Sequence, residues 1–102
     1  MYGYTMRIPQ PIDAYNAMHE AVMDIAGDDV EGLIVHFAHP TPQGFQITEV
    51  WETKEQRDAF NRDVLPRVMQ SSGVTAGENP PSLVEFDPVV VVTPRAYNSD
   101  RR

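Results

Sequence analysis

ITEVWETKEQRDAF, residues 47–60, is the stretch that decides the fold, because it predicts the end of a β-strand that runs directly into a helix. Ile47, Glu49 and Trp51 are spaced two residues apart, so their side chains point to the same side of a strand. A carboxylate that shares a strand face with a large aromatic ring and an isoleucine indicates either a hydrated face or a pocket. Glu49 is therefore the first candidate functional residue of the chain.

Working outward from this stretch, turn and capping signals divide the chain into six predicted elements. Thr53 and Gln56 form a T-x-x-Q capping box, which predicts a helix start. Pro66 predicts that this helix ends or kinks near Leu65, with a further turn after it. The predicted elements are strand 2–8, a helix from Pro11 or Asp13 to about Ala26, strand 32–40, strand 45–52, the helix that begins at Thr53, and strand 83–93.

The order of these elements, β-α-β-β-α-β, predicts an α+β ferredoxin-like fold. With right-handed crossovers it gives a four-stranded antiparallel sheet with two helices on one face. The strands are apolar on both sides, so the second face of the sheet needs a cover. A second copy of the chain is the simplest cover, and we expect a homodimer. The single domain is expected over residues 1–94, with a polar tail at 95–102.

Composition narrows the classes of function. The 102 residues include fifteen Asp and Glu against eight Lys and Arg, for a net charge of -7. Such an acidic surface repels phosphate groups, so nucleic acid and membrane surfaces are not expected partners. The chain has no cysteine, which excludes disulfides and thiol catalysis. The N-terminus lacks the pattern of a secretory signal, so the expected location is cytoplasmic.

Residues 32–68, GLIVHFAHPTPQGFQITEVWETKEQRDAFNRDVLPRV, carry a resemblance to a known superfamily. Their pattern is a strand, a hairpin, and then E-x-W-[ED]-[ST] leading into a helix. In this the chain resembles the dimeric α/β-barrel superfamily, and within it the antibiotic-biosynthesis-monooxygenase-like group and small uncharacterised actinobacterial proteins. The resemblance implies a barrel of two ferredoxin-like sheets, with a cavity between each sheet and its helices.

The same resemblance implies a small-molecule-binding protein. Some members of the superfamily oxidise polycyclic phenols without metal or flavin, others bind or degrade haem or decompose quinols, and others have no known activity. Monooxygenase-like members commonly carry a histidine on the second helix, eleven residues beyond the strand glutamate, where this chain has Phe60. His36, in the second strand, is instead typical of the uncharacterised members.

His36 and Glu49 are the candidate catalytic residues. If the hairpin register brings them together, the carboxylate holds the imidazole as a base near neutral pH. Trp51 would then supply a flat wall for an aromatic substrate. The alternative is a buried polar pair that only fixes the hairpin register. Trp51, Phe60, Tyr15 and His19 are the candidate substrate-binding residues.

The remaining histidines give no metal site. His39 lies three residues from His36 and points the other way on a strand, so a shared metal ion is not expected. His19 is either a half-buried rim residue of the first helix or a residue that lines the cavity. Three functions stay open: an enzyme without a bound cofactor that acts on an aromatic or polyketide-like compound, a non-catalytic ligand-binding or stress-associated dimer, and a haem-binding protein.

Overall fold

A computed structural model describes residues 1–27, 29–75, 77 and 80–92 of the chain. It contains four strands and three helices within that part of the chain. The elements are β1 (Tyr2–Ile8), α1 (Ile12–Ile25), β2 (Leu33–Thr41), β3 (Gly44–Trp51), α2 (Lys54–Asp63), α3 (Leu65–Ser72) and β4 (Ser82–Phe86).

The four strands form one antiparallel sheet in the order β2-β3-β1-β4. This is the strand order of a ferredoxin-like α+β fold, which confirms the predicted fold class. None of the helices in the described residues is long and apolar enough to cross a membrane.

The second helical segment is two helices, not one. The predicted capping box is present: the Thr53 hydroxyl accepts the Gln56 backbone N–H, and the Gln56 side chain accepts the Thr53 backbone N–H. The chain then leaves α2 at Val64 and re-enters a helix at Leu65. Pro66 fits the first turn of α3, where its missing N–H costs no hydrogen bond.

The last strand is shorter than the sequence predicts. The prediction of strand 83–93 is wrong at its C-terminal end, because β4 ends at Phe86. Pro88 follows within two residues, and a proline has no backbone N–H to continue the ladder. Beyond it, Val89 is 95% exposed. The predicted tail, 95–102, lies outside the described residues.

Strand register gives the sheet two different faces. One row across all four strands consists of His36, Glu49, Tyr4 and Glu85, and this face carries the buried core of Tyr2, Tyr4 and Trp51. Helices α1 and α2 pack on it, through ring contacts from Tyr15 and Phe60. The adjacent row, on the opposite face, consists of Phe37, Thr48, Thr5 and Val84.

The turn between β2 and β3 lies in close contact with the end of β1. A Cβ atom placed on Gly44 would collide with the backbone carbonyl of Ile8, which cannot move aside as a flexible side chain could. Glycine at this position lets the turn lie against the end of β1. Within the hairpin, Thr41 pairs with Gly44 and His36 pairs with Glu49.

Candidate proton-transfer site

His36 and Glu49 meet on the helix-covered face of the sheet. Nδ1 of His36 lies 2.5 Å from Oε2 of Glu49. A carboxylate only accepts hydrogen bonds, so Nδ1 carries the hydrogen, and Nε2 of a neutral His36 is left with a lone pair. The two side chains are 26% and 13% exposed, respectively, so the pair is mostly shielded from water.

Tyr15 reaches the other nitrogen of the same imidazole. Its hydroxyl, near the start of α1, lies 2.7 Å from Nε2 of His36. With Nδ1 protonated, the neutral ring accepts the Tyr15 O–H. The helix and two strands thereby build a continuous hydrogen-bonded chain from Tyr15 through His36 to Glu49, and we call it the Tyr15–His36–Glu49 relay.

Glu49 is anchored by two further donors. The indole N–H of Trp51 donates to Oε1 over 2.9 Å, and the Tyr4 hydroxyl donates to the same oxygen. Burial acts to raise the pKa of Glu49, but the hydrogen bonds from His36, Tyr4 and Trp51 outweigh it and hold that pKa below its usual value. Glu49 is therefore a carboxylate at neutral pH, although it shares a face with a large aromatic ring.

Tyr4 is a member of the site that sequence reasoning missed. Burial, followed by the charge of Glu49, raises the pKa of Tyr4 far above that of a free tyrosine, so it stays protonated and donates. Its partner was not predictable, because the pairing of Tyr4 with Glu49 depends on the register of β1 against β3. The alternation of Tyr2, Tyr4 and Met6 is a signal that all three share one face.

Arg57 of α2 is a second missed residue. It is buried, and its guanidinium lies 5.2 Å and 5.1 Å from the ring centroids of Tyr2 and Tyr4. Its Nε donates to Asp58. Arg57 lies three residues before Phe60, so the two share the sheet-facing side of the helix. A cation over the Tyr4 ring is attracted to the electrons of its face.

His19 lies in a stack of parallel rings with the relay. Its ring centroid is 5.8 Å from that of Tyr15 and 6.4 Å from that of His36, with interplanar angles of 15° and 7°. Phe45 contacts the Tyr15 ring from another direction, at 5.6 Å. The structure thus brings the predicted residues Tyr15 and His19 to the candidate catalytic pair.

Trp51 and Phe60 lie on the core side of this pair. The Trp51 ring is 1% exposed and packs against Phe60 at a centroid distance of 5.8 Å. In this arrangement Trp51 acts on the site through its indole N–H. Contact of either ring with a substrate stays a prediction.

His39 is exposed at the hairpin end, and its Nδ1 lies 3.1 Å from the carbonyl oxygen of Pro40. In the part of the chain that the structure describes, no three or more His, Asp or Glu side chains are grouped to hold a metal ion.

Solved structures of other proteins share this fold. A protein of unknown function from Nitrosomonas europaea superimposes with a TM-score of 0.66 at 13% identity, over 91% of this chain and 93% of that one. A proposed antibiotic biosynthesis monooxygenase from the same organism gives 0.64 at 14% identity, over 86% and 89%. The heme-degrader MhuD from Mycobacterium tuberculosis, with two hemes bound, gives 0.55 at 19% identity, over 91% and 100%.

Sequence comparison adds no closer relative, since no protein-family model and no curated protein matches the chain. The structural matches show that the chain has the fold of antibiotic-biosynthesis-monooxygenase-like proteins, as the resemblance in residues 32–68 predicts. At these identities the likeness covers the fold, and the chemistry depends on the residues of the site.

Proposed function

We propose that the chain binds a small aromatic or polyketide-like molecule beside His36 and removes a proton from it, as a monooxygenase-like enzyme without a bound cofactor. The observation that carries this proposal is the Tyr15–His36–Glu49 relay. An imidazole can act as a base near neutral pH, and Glu49, bonded to Nδ1, fixes the tautomer that leaves Nε2 able to accept a proton.

The proposed step begins with His36 as the base. When Nε2 takes the proton of a phenol or of an activated C–H group, the imidazolium forms 2.5 Å from the Glu49 carboxylate, which stabilises it. Tyr15 now occupies the position that the substrate hydroxyl would take, 2.7 Å from Nε2. A substrate either displaces the Tyr15 hydroxyl or passes its proton through it.

Molecular oxygen would complete the reaction. A substrate methylene that has lost a proton is electron-rich and can reduce oxygen directly. One oxygen atom enters the product as a carbonyl, and the other leaves as water with the two methylene hydrogens. The protein's part in this scheme is the proton transfer and the positioning of the ring.

We further propose that two copies form the functional unit, as a dimeric α/β barrel. Support comes from the face of the sheet that the helices leave uncovered, which presents Phe37, Val84 and Phe86 at 50%, 64% and 39% exposure. Apolar side chains clustered on one sheet face are typical of a buried interface. A second copy covers such a face with an identical one.

A non-catalytic ligand-binding dimer is the alternative function, in which His36 and Glu49 only hold the hairpin together.

Haem binding is the third candidate function, because a structural neighbour is a heme-degrader. His36 could serve as an axial haem ligand only through Nε2, and only if the Tyr15 hydroxyl bonded to that nitrogen were displaced. A Soret band on adding haem, lost in His19→Ala or His36→Ala, would be the evidence for that candidate.

Oxygen uptake with a panel of polycyclic phenols and anthrones tests the proposed reaction. We expect turnover by the unmodified chain and a loss of roughly 10²-fold or more in His36→Gln, the usual contribution of a general base. His39→Gln is the matched control, since His39 is an exposed histidine of the same hairpin, and it should retain full turnover. Equal turnover in both variants would contradict the proposal. Binding without turnover in all three proteins would favour the ligand-binding alternative.

A further inference from the structure

Tyr15 differs from the other tyrosines of the described residues in the group that accepts its hydroxyl. Tyr2 donates to Glu85 over 2.6 Å, and Tyr4 donates to Glu49, so both have carboxylate partners. The Tyr15 hydroxyl instead lies 2.7 Å from Nε2 of His36. An imidazole is a stronger base than a carboxylate, so Tyr15 has the partner that takes a phenolic proton most readily.

We propose that Tyr15 is a redox-active residue, whose one-electron oxidation is coupled to transfer of its phenolic proton to Nε2 of His36. A phenol that loses an electron becomes a strong acid, so its proton moves to any base already hydrogen-bonded to it. The neutral tyrosyl radical and the imidazolium that result need only a short movement of one hydrogen along an existing bond.

Glu49 makes this proton transfer favourable. The imidazolium forms 2.5 Å from a carboxylate that Trp51 and Tyr4 already hold in place. The charge created on His36 is therefore compensated where it appears, in a site with little water. The same two donors make Glu49 a weak proton acceptor, which disfavours Tyr4 and Trp51 as sites of the radical.

The ring packing around Tyr15 favours a persistent radical. The phenol is half-buried, with His19 parallel to it at 5.8 Å and Phe45 against it at 5.6 Å. These neighbours restrict collisions of the ring with other molecules. Electron transfer needs no such collision, so a bound aromatic molecule near the stack can still exchange an electron with Tyr15.

The proposed oxidant is an aryloxyl radical, the one-electron oxidised form of a phenol. It accepts one electron from Tyr15 and becomes a phenolate, which takes a proton from solvent. Tyr15 loses that electron and gives its proton to His36, so electrons, protons and charge balance. The site would thereby move the radical from a bound phenol onto Tyr15, once per chain, a step that goes beyond proton abstraction and requires no oxygen.

Electron paramagnetic resonance of the full chain tests this inference. Azidyl radicals from pulse radiolysis serve as the one-electron oxidant. We expect a tyrosyl signal that disappears in Tyr15→Phe, which keeps the ring and removes only the hydroxyl. Tyr2→Phe is the matched control, because it removes a hydroxyl bonded to a carboxylate, and it should leave the signal unchanged. A signal of equal size in Tyr15→Phe, or a radical on Trp51, would overturn the proposal.

Two readouts report the coupled proton. In His36→Gln the radical lifetime should fall by roughly tenfold, because the charged acceptor is lost. In the unmodified chain, high-field spectra should give the low gx value of a tyrosyl oxygen beside a charged donor, a measurement that does not depend on any variant folding. A gx value typical of a tyrosyl without such a donor would contradict proton transfer to His36. A chain that forms this radical but oxidises no phenol would contradict the proposed function and leave this inference standing.

Discussion

Hydrogen-bond donors around Glu49 stabilise its carboxylate on an aromatic face of the sheet. His36, Tyr4 and Trp51 supply its hydrogen bonds, from three different strands of the sheet. The period of two along β3 predicts which way Glu49 points. The sequence does not predict Tyr4 as a partner, because β1 and β3 are far apart in the chain and nothing local sets their register.

Replacing Glu49 by glutamine should lower stability and change its dependence on pH. We expect a loss of about 2–3 kcal/mol at pH 7, because the buried carboxylate accepts hydrogen bonds from His36, Tyr4 and Trp51 that a neutral amide cannot all replace. The pKa of Glu49 is lowered in the fold, so its stabilisation is present above the unfolded value of 4.5 and is lost as pH falls below it. The difference between the unmodified chain and Glu49→Gln should therefore shrink at pH 3.

Urea unfolding at pH 7 and pH 3 measures this difference. Glu52→Gln, at an exposed carboxylate on the same segment, is the control and should stay close to the unmodified chain at both values. A deficit in Glu49→Gln that is as large at pH 3 as at pH 7 would contradict the role assigned to the ionised carboxylate.

At the scale of elements, predictions succeed where the signal is local. The capping box at Thr53 and the break before Pro66 both involve residues within one or two turns of a helix, and the structure has both. The strand predicted through residues 89–92 fails, since four valines favour a strand only where a neighbour supplies the ladder. Within the described residues β4 pairs along Ser82–Phe86, on one side only.

Thr53→Ala should destabilise the chain by about 1 kcal/mol, the usual cost of removing an N-cap side chain. The alanine leaves the backbone N–H of Gln56 at the start of α2 without its side-chain acceptor. Thermal unfolding of the two proteins gives the difference. Thr53→Ser keeps the hydroxyl and is the control, so a loss of equal size in the serine variant would show that packing, and not capping, is responsible.

In the part of the chain that the structure describes, helices cover one face of the sheet and leave the other open. The helix-covered face holds the relay and the buried aromatic core, whereas the opposite face exposes Phe37 and Val84 in one row and Phe86 in the next. The apolar strands predict this second face from sequence. The sequence does not give its shape, which depends on strand twist and on details such as the Phe86 ring lying over Gly3.

Phe37→Glu should convert the proposed homodimer to monomers. A carboxylate placed in a self-complementary interface appears once in each copy, so its desolvation cost is doubled. Sedimentation over a range of concentrations should show that the variant self-associates at least roughly tenfold more weakly than the unmodified chain. A tenfold change needs only about 1.4 kcal/mol. Gln43→Glu adds the same charge at the exposed hairpin turn and should leave the assembly unchanged. A monomer in the unmodified chain would refute the dimer.

Trp51 has a consequence for how this protein can be studied. It is the only tryptophan of the chain, it is buried, and its indole N–H is bonded to Glu49. Its fluorescence should therefore respond to the protonation of Glu49 and to any molecule that displaces the Tyr15 hydroxyl from His36. Ligand titrations can be read from the emission of this one ring, without a label and before any substrate is known.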